Sequence, residues 1–184
     1  MLTMYLSLLD DPEEQRKFEL LYTSYRQMMF YVANRILNNN EDSEDAVHLA
    51  FMRVMNHLGD IDETEEQKTK SYLSIVTHNI AIDMYRKKSR EWKRNISYDE
   101  YEVFIEDPEG QKFEVNTDEN SVRLAGAIQK LPSHYAEVIR LTYVHGYGSD
   151  KVAEILNISA ENVRQRLVRA RKKLAELLGG TYVK

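Results

Sequence analysis

Residues 163–174 read VRQRLVRARKKL: six Lys or Arg and no acidic side chain, in a chain of 184 residues whose formal net charge is −5. Val163, Leu167, Ala170 and Leu174 recur at spacings of 4, 3 and 4, so one stripe of a helix is apolar and the remainder cationic. Just upstream, GSDKVAEILNIS is a shorter amphipathic segment that ends in a polar break at residues 157–159. Two helices in that order, the second basic, make a helix-turn-helix candidate whose second helix is suited to a DNA groove. An acidic chain that gathers positive charge there has separated its functions along its length.

The totals narrow the class. A hydrophobic content of 42% is enough for packed cores in one domain or two small ones. Seven Gly and three Pro, against abundant Leu, Glu, Lys, Arg and Ala, favour helices over strands and turns. With no cysteine there is no disulfide framework and no thiolate metal site, which suits a reducing cytosol. The opening MLTMYLSLLDDP lacks a basic n-region and its apolar run is too short for a signal peptide. No segment approaches a membrane-spanning run of about 18 to 20 apolar residues, so a soluble cytoplasmic protein without membrane insertion is expected.

Three amphipathic helices are predicted in the first 90 or so residues. Asp11 is placed to cap the first, with Pro12 at its first position and Glu14 where a capping-box carboxylate stands. Phe18, Leu21, Tyr25, Met28, Val32 and Ile36 then form its apolar stripe, and Asn38-Asn39-Asn40 breaks it. The second runs from about Ser43 to Leu58, with Val47, Ala50, Phe51, Val54 and Leu58 inward and Gly59 as its C′ residue. After a polar loop at residues 59–70, the third carries Leu73, Val76, Ile80 and Met84.

Helical periodicity fades after Arg94, and residues 95–121 hold nine acidic side chains against Lys112 alone. Alternation around Tyr101, Val103 and Ile105 is compatible with a short strand, but an extended acidic linker is the preferred reading. Helices are then predicted over 122–131 and from about His134 to Tyr143, with Ser133 as the new cap and Leu141 or Thr142 turned inward beside Val138 and Ile139. Gly179-Gly180 closes the last helix. The expected architecture is all-α: a domain at 1–94, an acidic linker at 95–121 and a helix-turn-helix domain at 122–184.

Three groups of residues are candidates for function. In the third helix, Asn79, Asp83, Arg86 and Arg90 share a narrow stripe beside the apolar face. Its end, residues 86–94, has six basic side chains against Glu91, next to Tyr85 and Trp92. Phosphate attraction with aromatic stacking is how proteins hold unpaired nucleic acid, although cations that offset a helix dipole give the same pattern. In the second helix, Asp45, Leu49, Met52, Arg53 and Asn56 lie opposite the core face, and the two apolar members rimmed by charge fit a docking surface for another protein's helix. In the last helix, Glu161, Gln165, Val168, Arg169 and Lys172 face away from Val163 and Leu167; Arg suits guanine edges, Gln suits adenine and Val168 suits a thymine methyl. Arg164, Arg166, Arg171 and Lys173 flank that face as phosphate contacts. The five His are dispersed without metal-ligand spacing, and there is no Gly-rich phosphate loop or nucleophile elbow, so neither an enzyme nor a cofactor is expected.

These motifs, in this order, resemble bacterial RNA polymerase sigma factors of the compact extracytoplasmic-function type. FELLYTSYRQMMFYVANRILNNNEDSEDAVHLAFMRVMNHL is similar to the family's region 2.1–2.2, and SYLSIVTHNIAIDMYRKKSR to its region 2.3–2.4 with Asn79, Asp83 and Arg86 in the Asn…Asp..Arg pattern. LPSHYAEVIRLTYVHGYGSDKVAEILNISAENVRQRLVRARKKLAELL is similar to region 4. The resemblance implies a dissociable promoter-specificity subunit with no cofactor. It implies that Asp45, Leu49, Met52, Arg53 and Asn56 meet the clamp helices of the polymerase β′ subunit. Asn79, Arg86, Lys87 and Arg90, with the loop before their helix, would contact the −10 element; Arg164, Gln165, Val168 and Arg169 would read the −35 element while their domain sits on the β flap. The acidic linker matches the segment that threads toward the RNA exit path. His48 and Leu49 stand where the family has Gln and an acidic residue, and Lys151 where it often has Glu. An anti-sigma protein is a further partner that the resemblance admits. A stand-alone regulator using the C-terminal helix-turn-helix is the main rival, but it has no need of the basic segment at 79–94.

Overall fold

Our computed structural model describes residues 1–62, 65–93 and 119–179, and every regular element in them is helical. The chain divides into two units, Met1–Tyr101 and Glu102–Lys184. The acidic stretch singled out in the sequence lies outside the described residues as far as Asp118.

The first unit is built on three long helices, α2 (Pro12–Leu37), α3 (Asn40–Met55) and α4 (Glu66–Lys93), each packed against the other two. Phe18, Leu21, Met29, Phe51, Val54, Leu73 and Val76 fill the space between them and are almost fully buried. Asp11 caps α2 as expected, its carboxylate accepting from the Glu13 N–H at 2.9 Å. The stripe of α2 is phased differently from the expectation past its middle: Met29 and Ala33 are buried, whereas Tyr25, Met28 and Val32 are half-buried. Because α2 lies against two helices at once, its buried face is broader than one heptad-like line.

Between α2 and α3 the chain turns on two asparagines. Asn38 ends α2 in the left-handed region at φ 47°, which its short polar side chain tolerates, and Asn39 caps α3 by accepting from the Asp42 N–H at 2.9 Å. The helix therefore starts well before Ser43, which is fully buried and donates its hydroxyl to the Asn39 carbonyl at 2.5 Å. At the other end α3 stops at Met55, and Leu58 belongs instead to a 3₁₀ turn, Leu58–Asp60, that contains Gly59. Gly59 is not a C′ residue; Asn56 ends the helix in an ordinary right-handed conformation. The loop before α4 is shorter than expected, since α4 opens at Glu66.

A short helix absent from the sequence-based expectation, α1 (Leu2–Leu6), precedes these three. Tyr5 is 1% exposed, its ring 5.1 Å from Phe18 and 6.0 Å from Phe51, and its hydroxyl lies 2.6 Å from Nδ1 of His48. The Gln15 amide donates to the carbonyls of Leu6 and Leu9, which ties the end of α1 to α2.

The second unit comprises α5 (Glu119–Gln129), α6 (Ser133–Ile139), α7 (Ser149–Leu156) and α8 (Ala160–Leu177). α5 starts at Glu119, within the stretch expected to be linker. Pro132, not Ser133, occupies the N-cap position of α6. That helix continues into a π-helical turn, Arg140–Val144, where the His145 N–H reaches the Arg140 carbonyl at 3.1 Å. Leu141 is the buried member of the expected Leu141/Thr142 pair. α8 lies against α5, α6 and α7, with Val163, Leu167 and Ala170 buried.

Candidate nucleic-acid interface

In the second unit, the turn between α7 and α8 is set by Asn157 at φ 53°, left-handed, and by Ser159, whose hydroxyl accepts from the Asn162 N–H at 3.1 Å. α7 buries Val152, Ile155 and Leu156, which holds it against the apolar stripe of α8. The opposite side of α8 is thereby turned to solvent. Arg164, Gln165, Val168 and Arg169 are all exposed, Val168 at 51%, on this one helix.

Two of these side chains are held by a neighbour that sequence reading noted without assigning a role. The Glu161 carboxylate accepts from Arg164 Nε at 3.2 Å and from Gln165 Nε2 at 3.1 Å. The bond from Gln165 first, and then Arg164, keeps the Glu161 carboxyl below its usual range. Arg166 Nε donates to the Asn162 side chain at 2.9 Å and Arg171 Nε to the Leu167 carbonyl at 3.3 Å, so both flanking arginines lie along the helix. The i, i+3 and i, i+4 spacing of these polar pairs makes such contacts available to any helix with this sequence.

In the first unit, α4 runs about 42 Å at 1.5 Å per residue. Its first half is the wall of the core: Tyr72, Leu73, Val76, Ile80 and Ala81 are buried. Of the side chains at 82–89 none is buried, so the end of α4 stands clear of the apolar core. Asp83, Arg86 and Lys87 are exposed on this part. Asn79 is half-buried and commits one N–H to the Ile75 carbonyl at 2.9 Å. Arg90 lies on α4, but its side chain, like that of Trp92, is outside the described ones.

On α3, Asp45, Leu49 and Asn56 are exposed and Met52 and Arg53 half-buried, with Leu49 at 48%. An apolar side chain therefore sits in the middle of a polar helix face. His48, beside it, is turned to Tyr5 instead of solvent alone. Among the described residues no group of His, Asp and Glu is arranged to hold a metal ion.

The model of Sigma-70 region 2 matches residues 21–91, and that of Sigma-70 region 4 matches residues 121–174. The chain is 30% identical over 164 residues to the RNA polymerase sigma factor SigZ of Bacillus subtilis, covering 88% of this chain and 87% of that protein. It is 27% identical over 171 residues to the ECF RNA polymerase sigma factor SigW of the same organism, covering 90% of each. With SigM, also an ECF RNA polymerase sigma factor of Bacillus subtilis, it shares 30% identity over 162 residues, 83% of this chain and 91% of the other.

Proposed function

Since the chain belongs to the sigma-70 family and is of the extracytoplasmic-function type, we infer that it holds polymerase with one helix of its first unit and promoter DNA with one helix of each unit. As an alternative sigma factor it directs RNA polymerase core to specific promoters and initiates transcription. Sigma factors are not enzymes: the polymerase supplies the chemistry and the sigma subunit supplies position. Among the described residues no helix is long and apolar enough to cross a membrane, and work at the chromosome sets the protein's place in the cytoplasm.

The observation that carries the assignment of parts is that two cationic helices in separate units each present exposed polar side chains, Asp83, Arg86 and Lys87 on α4 and Arg164, Gln165 and Arg169 on α8. On this reading Asn79, Arg86, Lys87 and Arg90 meet the −10 element, where cations and aromatic faces suit a strand that is leaving the duplex. Arg164, Gln165, Val168 and Arg169 read base edges of the −35 element, in a major groove that admits an α-helix. The outward face of α3, with Asp45, Leu49, Met52, Arg53 and Asn56, packs on the clamp helices of β′, Leu49 being the apolar anchor. A regulator working through α8 alone leaves the stripe of α4 without a task.

Run-off transcription with purified core enzyme on a library of genomic DNA tests the function and returns the recognised sequence. Gel shifts at fixed salt test the division of labour: promoter duplex is bound weakly by the free protein and tightly once core is added. Equal affinity with and without core overturns it.

A further inference from the structure

α4 is joined to α3 by an ion pair well away from the apolar core. Lys88 Nζ lies 2.5 Å from both carboxylate oxygens of Asp42, and the two residues are 46 apart in sequence. Ile80, Met84 and Lys88 follow at spacings of 4, so Lys88 continues the inward-facing line of the helix: Ile80 is buried, Met84 half-buried, and Lys88 reaches across to Asp42. The carboxylate is the more enclosed partner, with its side chain 15% exposed against 59% for Lys88.

The anchor is firm. The Asp42 N–H is bonded to the Asn39 cap, Ser43 is fully buried, and the Asn34 amide on α2 donates to Asn40 and Ser43 at 3.1 and 3.2 Å. Three of the first four positions of α3 are thus fixed to cap or to α2. Lys88, by contrast, is on the part of α4 where none of the side chains at 82–89 is buried.

Nine residues separate Asn79 from Lys88, which at roughly 100° per residue puts them on opposite sides of the helix. Asp83 and Arg86 lie on the Asn79 side. We propose that Asp42 is a positioning residue for promoter contact: by holding Lys88 against α3 it sets the rotation of the exposed end of α4, so that Asp83 and Arg86 face away from the bundle. Lys88 is then the one cation of residues 86–89 that serves the protein and not the nucleic acid, and α3, the helix assigned to polymerase, sets the aim of the helix assigned to the −10 element. This rests on the assignment of α4 to the −10 element given above.

A double-mutant cycle tests it, using the full chain with core enzyme and following opening by 2-aminopurine fluorescence in the −10 element. Asp42→Asn and Lys88→Gln each slow opening by about fivefold, the size of effect an exposed pair can have, and the double variant is no slower than either. Core affinity and far-ultraviolet helicity stay at their wild-type values, and Asp42→Glu retains most of the rate. The salt dependence of promoter binding keeps its slope in Lys88→Gln, because no phosphate contact is lost. Faster opening in Asp42→Asn with a shallower slope in Lys88→Gln overturns the proposal, since Lys88 would then serve the phosphates. So does wild-type behaviour in both single variants. Failure of the −10 assignment reads differently: Arg86→Ala opens promoters at the wild-type rate.

Discussion

The phenol of Tyr5 is pushed up to about 12 from its ordinary 10.0, by burial first and then by the neighbouring Tyr22. The folded state holds that proton more tightly than the unfolded chain, so this contribution is intact below pH 10 and is lost as pH climbs from there through 12. Urea midpoints measured at about pH 9 and about pH 11 should differ more in the wild type than in Tyr5→Phe. The same variant, which keeps the ring and loses the bond to His48, should cost about 0.5–1.5 kcal/mol near neutral pH. At the other end of the chain, Arg169→Ala should relax preference at one −35 position and cost roughly 1–3 kcal/mol on the preferred site. A binding matrix measured on single-substituted promoters checks this; a uniform loss across all variants would mark Arg169 as a phosphate contact. The α8 face to which these residues belong was legible in the sequence because period and charge coincide there. The grip of Glu161 on Arg164 and Gln165 also follows from spacing, but which of several available i, i+3 and i, i+4 pairs forms is decided by rotamers that sequence does not reveal.

At the scale of elements, the long helices and the Asp11 cap were readable, whereas the phase of α2, the caps expected at Gly59 and Ser133 and the boundaries were less so. The expected break at Asn38-Asn39-Asn40 is present, but the same residue type serves both to end α2 and to begin α3, so α3 begins at Asn40 rather than near Ser43. α1 escaped notice because five residues give no periodicity; Tyr5 is recruited by Phe18, Phe51 and His48, partners from two other helices. The π turn at Arg140–Val144 has no sequence signature at all. The stripe of α8 is also what holds its unit together. Leu167→Ala, removing a buried side chain between α8 and its neighbours, should destabilise that unit by about 2–4 kcal/mol. Thermal unfolding followed by near-ultraviolet signals from its tyrosines checks the figure; an unchanged midpoint would mean that the helix is held from elsewhere.

Taken as a whole, the molecule keeps a net charge of −5 while exposing cationic helices in each unit, and the nine acidic residues at 95–121 account for the difference. Replacing them with Asn and Gln moves the formal charge to +4 and should raise the affinity of the free protein for non-specific duplex, most at low salt. Fluorescence anisotropy against a salt series measures this, and an affinity that does not change would remove the acidic stretch from any part in restraining DNA binding. The two-unit plan was legible in composition alone, because a run of acidic, weakly periodic sequence between two strongly periodic ones reads as a boundary. What lay beyond reach was the exchange between helices within a unit, such as Asp42 with Lys88, since partners 46 residues apart share no pattern.

The small cluster at the head of α8 bears on what its leading side chains have left to offer. Glu161 holds Arg164 through Nε and Gln165 through one amide N–H, which leaves the outer guanidinium N–H groups and the second amide hydrogen to meet other acceptors. On the −35 reading proposed above, those remaining donors are what a base edge would meet, on side chains already held along the helix. Side chains held in this way have less freedom left to lose on binding.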